Sequence, residues 1–92
     1  MPKKLKFCVY ILLSQKDDNF YIGFTTDLKR RLTDHFTGQV ASIAHRRPLN
    51  LIHCEYYFAE SDALRREAYL KTTKGKRTLR LMLRDALSEF TG

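Results

Sequence analysis

Two neighbouring apolar stretches constrain this chain more than any other feature. Residues 7 to 14, Phe-Cys-Val-Tyr-Ile-Leu-Leu-Ser, are rich in β-branched and aromatic side chains. Residues 20 to 25 alternate Phe20, Ile22 and Phe24 with Tyr21, Gly23 and Thr25. Both read as strands, joined across the polar turn Gln15 to Asn19 into a β-hairpin. Side chains alternate between the faces of a strand, so a slip of one residue exchanges the two faces. Only one parity gathers Phe7, Val9, Ile11 and Leu13 with Phe20, Ile22 and Phe24. That parity also sends Tyr10 and Tyr21 together to the opposite face, with Gly23 near them contributing no side chain, so two phenols share one space. Tyrosines packed under helices with their hydroxyls at the surface are the plainer reading. The pairing beside a glycine is what favours a functional one.

The remaining periodicities supply helices and a third strand. Thr26 or Asp27 can cap a helix running to about residue 37, closed by Gly38 in a left-handed conformation. Leu28, Leu32 and Phe36 form its apolar stripe, and Arg31 and His35, four apart, stack on one side at the stripe's edge. Residues 39 to 48 read as a basic, mobile loop, and residues 50 to 58 as a third strand. His45 and His53 are ordinary surface or strand histidines on this reading. Ser61 caps a helix over about 62 to 73, whose inward stripe contains Ala63, Leu64, Glu67, Ala68, Leu70 and Lys71, with Arg65, Arg66 and Tyr69 outside. A last helix, about 77 to 88, turns Leu79, Met82, Leu83 and Ala86 to the core. The expected fold class is α+β: a three-stranded antiparallel sheet flanked by about three helices, in one domain over residues 1 to 92.

Charge narrows the partner. Seventeen Lys plus Arg against ten Asp plus Glu leave a net charge of +7, which favours a polyanion through release of counterions from phosphates. The basic residues recur in every segment and do not form one tail. Lys29, Arg30, Arg46, Arg47 and Lys71 are the candidate nucleic-acid contacts. Cys8 and Cys54 are too few and too far apart for a zinc motif, and read as reduced core thiols. There is no export signal and no run of the roughly 18 apolar residues needed to span a bilayer, so the expectation is a cytoplasmic protein with no membrane partner.

Glu67 falls near the centre of an otherwise apolar stripe. A carboxylate aimed inward needs a partner or a metal, because burying it alone costs several kcal/mol. An ion pair with Arg31 or Lys71 would satisfy it, without excluding a catalytic role.

In order and spacing, Val9-Tyr10-Ile11, Tyr21-Ile22-Gly23-Phe24-Thr25, Arg31-Leu32 with His35, and Glu67 resemble the GIY-YIG nuclease superfamily. The stretches His45-Arg46-Arg47-Pro48 and Ala63-Leu64-Arg65-Arg66-Glu67 add a likeness to small stand-alone members named after the nuclease domain of the excision-repair C subunit. Two departures stand out: Cys8-Val9-Tyr10 replaces Gly-Ile-Tyr, and no asparagine occurs beyond Asn50. The resemblance implies divalent-metal-dependent hydrolysis of phosphodiesters, with magnesium or manganese, and DNA as substrate, branched or nicked forms included and RNA left open. Carried over by position, it implies that Glu67 holds the metal, Arg31 stabilises charge on the scissile phosphate, Tyr21 helps activate water, and Tyr10 and His35 orient or assist. DNA repair is among the settings that such a nuclease serves. The alternative is a nucleic-acid-binding module that keeps the fold but needs a partner to cleave.

Overall fold

A computed structural model describes residues 2–91; Met1 and Gly92, the ends of the expected domain, lie outside the described residues. The elements run β1 (Phe7–Ser14), β2 (Phe20–Thr25), α1 (Leu28–Phe36), a single 3-10 turn (Ala44–Arg46), β3 (Leu49–Tyr57), α2 (Glu60–Leu70), α3 (Thr73–Met82) and α4 (Arg84–Thr91). The α+β expectation holds, with four helices among the described residues where about three were expected.

The strands form one antiparallel sheet in the order β2-β1-β3. The hairpin has the expected parity, with Val9 opposite Phe24, Ile11 opposite Ile22 and Leu13 opposite Phe20. As the central strand, β1 is covered on both faces, which explains why it is apolar almost throughout instead of alternating with polar residues. Val9, Ile11 and Leu13 join Phe20, Ile22, Ala63, Leu70 and Leu79 in one cluster. Cys8, Tyr10 and Leu12 join Ile43 and Leu49 on the other side, beneath Leu28 and Leu32 of α1. Burial of the Cys8 thiol pushes its pKa up to about 11.

Several boundaries differ from the sequence expectation. In α1, His35 is the buried residue while Phe36 is 46% exposed. The helix ends at Phe36, with Gly38 beyond it at φ +80° as expected. The basic loop is tied down instead of mobile: Ile43 enters the core, Ser14 Oγ donates to the Arg46 carbonyl at 2.6 Å, and Arg46 Nε donates to Asp17 at 2.9 Å. Cys54 is exposed, not core, because it lies on an edge strand where the covering layer ends. Its neighbours Leu51 and Tyr56 are likewise 36% and 43% exposed. A bulge between the pairs Ile11–His53 and Leu12–Leu51 shifts the register of β3, and such an extra residue re-aims the side chains beyond it.

The helix over residues 62 to 73 begins earlier than expected, at Glu60, with extended Ala59 as its cap residue. Glu60 and Asp62 in its first turn complement the helix dipole, so Ser61 need not serve as the cap. Its inward line is Ala63 and Leu70, with Arg66, Glu67 and Tyr69 half-buried, while Leu64, Ala68 and Lys71 face outward. The helix expected over 77 to 88 is two helices. Thr72 accepts from Gly75 N at 3.0 Å and so starts α3 at Thr73, ahead of the expected start at about 77. The break falls at Leu83, and Met82 is exposed.

The rotation of α2 has an identifiable anchor. Arg66 donates to both oxygens of Glu55 on β3, at 3.0 and 3.3 Å, while Tyr57 Oη donates at 2.7 Å and His53 Nε2 lies at 3.0 Å. Burial works to raise the pKa of the Glu55 carboxyl, but the bonds from Arg66, Tyr57 and His53 outweigh it and hold the group at about 2. A carboxyl depressed in the folded state contributes stability that is complete above its unfolded value and lost as pH falls toward the folded one. Between about pH 5 and pH 2, unfolding free energy should therefore drop by roughly 3 kcal/mol on account of this residue. Glu55→Gln should remove that component and start from a lower plateau, as read by urea denaturation at stepped pH. Parallel curves for the two proteins would refute the assignment.

Candidate active site

The hairpin parity that places the tyrosines together is what assembles this site. Tyr10 lies opposite Gly23, and Tyr21 lies opposite Leu12 on the same strand pair. The Tyr10 ring occupies the space that a side chain at position 23 would need: a Cβ on Gly23 would sit 2.3 Å from Tyr10 Cζ and 2.4 Å from its hydroxyl. The Tyr10 and Tyr21 ring centroids are 6.3 Å apart.

From α1, two residues reach these rings. Asp27 caps the helix by accepting from Arg30 N at 3.1 Å, which fixes where the first turn begins. Arg31 and His35, four residues on from one another, then descend toward the sheet. The Tyr10 hydroxyl lies 2.8 Å from His35 Nε2 and accepts from Arg31 Nε at 3.3 Å. The His35 ring meets Tyr21 edge-on at 5.1 Å and Tyr10 at 5.6 Å. Four of the five sequence-predicted site residues therefore form one contact network.

Electrostatics divides their roles. Burial, only partly offset by the hydrogen bond from Arg31, pushes the Tyr10 phenol up to about 12, so it stays protonated at neutral pH. Burial, and then the nearby Arg31 charge, lower the pKa of His35 from its ordinary value and keep the imidazole neutral. Its hydrogen bond to Tyr10 raises the pKa of Arg31 further, keeping the guanidinium charged. The Tyr10 hydroxyl and His35 Nε2 share one hydrogen bond whose direction follows the imidazole tautomer, and in either tautomer His35 Nδ1 is a buried atom without a hydrogen-bond partner among the described residues. At Arg31 the network borders a cleft of about 260 Å³ lined by Thr25, Thr26, Asp27, Arg30, Arg31 and Asp34.

Glu67 stands apart from these four. It lies on α2, whose buried residues Ala63 and Leu70 pack on the opposite side of the sheet from Tyr10. Its side chain is 18% exposed and meets Lys71 at 3.1 Å, which is the ion pair that the sequence offered as an alternative. Among the described residues no group of three or more His, Cys, Asp and Glu gathers to hold a metal. Of the basic candidates, Lys29 and Arg30 are exposed on α1, whereas Arg46 is held by Asp17 and Arg47 donates to the Ala44 carbonyl at 2.9 Å. Sequence reasoning missed Glu55. The signal was its place between His53 and Tyr57 at alternate positions of one strand, which puts three polar groups on a single face.

The model of the GIY-YIG catalytic domain matches residues 6–80. The chain belongs to the GIY-YIG family. A UPF0213 protein of Enterococcus faecalis is 42% identical over 74 residues, covering 77% of this chain and 83% of the relative. Another, from Staphylococcus saprophyticus, is 35% identical over 78 residues, covering 84% and 94%. The solution NMR structure of the UPF0213 protein BH0048 from Bacillus halodurans superposes with a TM-score of 0.54 at 31% identity, covering 85% of both chains. The GIY-YIG domain is a nuclease fold, and the cluster on β1, β2 and α1 draws on the motifs that give the family its name. Among the described residues, no helix is long and apolar enough to cross a membrane.

Proposed function

We propose that this protein is a divalent-metal-dependent endonuclease that hydrolyses phosphodiester bonds in DNA with selectivity for structure over sequence. The observation that carries this reading is the network joining Tyr10, His35, Arg31 and Tyr21 within a GIY-YIG domain. Arg31 is the charge partner of the scissile phosphate, since a guanidinium held in place before reaction stabilises charge that develops in the transition state. Tyr10 and His35 hold Arg31 and the second phenol in position: the high pKa of Tyr10 makes it a fixed hydrogen-bonding group and not a base. Tyr21, half-buried on the edge strand β2, is the residue that contacts the attacking water. Lys29, Arg30, Arg47 and Lys71 contact flanking phosphates, whereas Arg46 anchors its loop to Asp17.

Glu67 is the residue that would hold magnesium or manganese. The donor chemistry fits: magnesium is commonly bound by one or two carboxylates with water and substrate phosphate completing its shell. A single carboxylate paired only with a lysine that is itself 55% exposed can exchange that partner for a cation. The metal, when bound, supplies Lewis-acid stabilisation of phosphoryl charge. α2 packs against both β1 and β2, from the face opposite the one that carries the two tyrosines.

The test is cleavage of labelled duplex, nicked, flapped, branched and single-stranded DNA with magnesium or manganese. Wild type should cut at least one of these and prefer a discontinuous or branched form. Tyr21→Phe should fall by roughly a hundredfold, in line with loss of one group that assists proton transfer. Binding without cutting by wild type would replace this reading with that of a binding module that needs a partner.

A further inference from the structure

A second groove lies beside the cluster, and its chemistry differs. Its volume is about 560 Å³, and Lys3, Lys4, Leu5, Lys6, Tyr56 and Phe58 line its walls. Tyr56 pairs with Cys8 on β1, two positions from Tyr10, so it projects from the face of the sheet that carries the tyrosine cluster. Phe58 follows on the same side, two residues along. Both rings are open to solvent, at 43% and 62% exposure, and Leu5 beside them is 49% exposed. Lys6 N donates to the Tyr57 carbonyl at 3.3 Å, which lays the lysine-bearing segment along the end of β3, and Lys6 Nζ lies 5.7 Å from the centroid of the Phe7 ring, which also lines the groove. The described lining holds three lysines and no carboxylate.

Exposed aromatic rings next to a run of cations are what an unpaired polynucleotide requires. Bases stack on the rings and the backbone tracks the positive charge. A duplex offers phosphates but keeps its base faces stacked inside, and would leave Tyr56 and Phe58 unused. The groove adjoins the cleft at Arg31, with Thr26 lining both.

We infer that this groove binds an unpaired DNA strand leading to or from the scissile phosphate, so that the substrate is a junction between duplex and single strand. The inference rests on the nuclease reading above, and it adds the structural class of substrate that the site accepts. Tyr56 and Phe58 are the stacking platform, and Lys3, Lys4 and Lys6 are the phosphate contacts.

Fluorescence anisotropy with labelled oligodeoxythymidylate and with a blunt hairpin duplex tests it without requiring cleavage. The double variant Tyr56→Ala with Phe58→Ala should lose about tenfold or more in affinity for the single strand, while its duplex affinity stays within about twofold. Tyr56 also reaches the buried Cys8, so affinities are compared per folded molecule, with the duplex affinity as the internal control. Replacing Lys3, Lys4 and Lys6 with serine should flatten the slope of log affinity against log salt by roughly 2, at about 0.7 per released counterion on a single strand. On a flapped substrate, the aromatic double variant should raise KM and leave kcat in place. Unchanged single-strand affinity, or equal losses on duplex and single strand, would overturn the inference. So would oligouridylate bound at least about tenfold more tightly than oligodeoxythymidylate through the same two rings, which would assign the groove to RNA. Ring-dependent binding by a wild type that cuts nothing would support the groove and sink the nuclease reading alone.

Discussion

Glu67→Ala is expected to cut metal-dependent cleavage by roughly a thousandfold, the scale on which one charge-stabilising contact to a reacting phosphate acts. Stability should hardly change, because what the substitution removes from the fold is a pair with a lysine that is 55% exposed. Such pairs contribute about 1 kcal/mol or less. DNA affinity measured without metal should be preserved or slightly improved, since Lys71 would be left to meet phosphate. Lys71→Ala separates the two explanations for the carboxylate. If Glu67 serves only the ion pair, losing either partner has the same small effect on the cleavage step; if it holds the metal, only the carboxylate variant loses metal-dependent kcat, while loss of the Lys71 phosphate contact shows in DNA affinity. A single-turnover assay across magnesium concentrations reads both. Full activity in Glu67→Ala would remove this residue from the mechanism.

The second large effect lies at a residue with no side chain. Gly23→Ala would place a methyl group 2.3 Å from Tyr10 Cζ and 2.8 Å from Cε1, distances that packed carbons do not adopt. The ring has no room to retreat, because Tyr10 is fully buried and its hydroxyl is held by His35 and Arg31. Destabilisation of about 3 kcal/mol is expected from overpacking of this kind. Whatever fraction folds should cleave poorly, because the phenol that positions Arg31 and His35 has been displaced. Urea denaturation measures the first effect and cleavage per folded molecule the second. Adding Tyr10→Leu to Gly23→Ala should recover part of the stability and none of the activity. A Gly23→Ala protein within about 0.5 kcal/mol of wild type would show that the sheet yields here more easily than the packing implies.

Much of the fold was legible because strand and helix periods are local. The hairpin parity, the pairing of Tyr10 with Tyr21 and the i, i+4 relation of Arg31 to His35 all follow from counting along the chain. The ion pair of Glu67 with Lys71 was also within reach, being one helical turn long. Other features depended on contacts that spacing does not encode. The start of α3 at Thr73 follows from a threonine cap at a position that periodicity had placed in the preceding helix. The rotation of α2, which exposes Leu64 and half-buries Arg66, follows from the bonds between Arg66 and Glu55, eleven residues apart. Arg46 looked like a free phosphate contact until its pairing with Asp17 was visible.

By itself, then, the sequence determined the sheet's parity, the basic character of the surface and the set of side chains to consider, since each of these depends on residue type and on the two- or 3.6-residue repeat. Tertiary structure alone decided that Tyr10 shares its hydroxyl between His35 and Arg31, that Glu67 belongs to the helix layer across the sheet, and that Tyr56 and Phe58 remain uncovered beside three lysines. The physical reason is that hydrogen bonds and burial depend on which layers meet and where they end, and residues far apart in the chain set both.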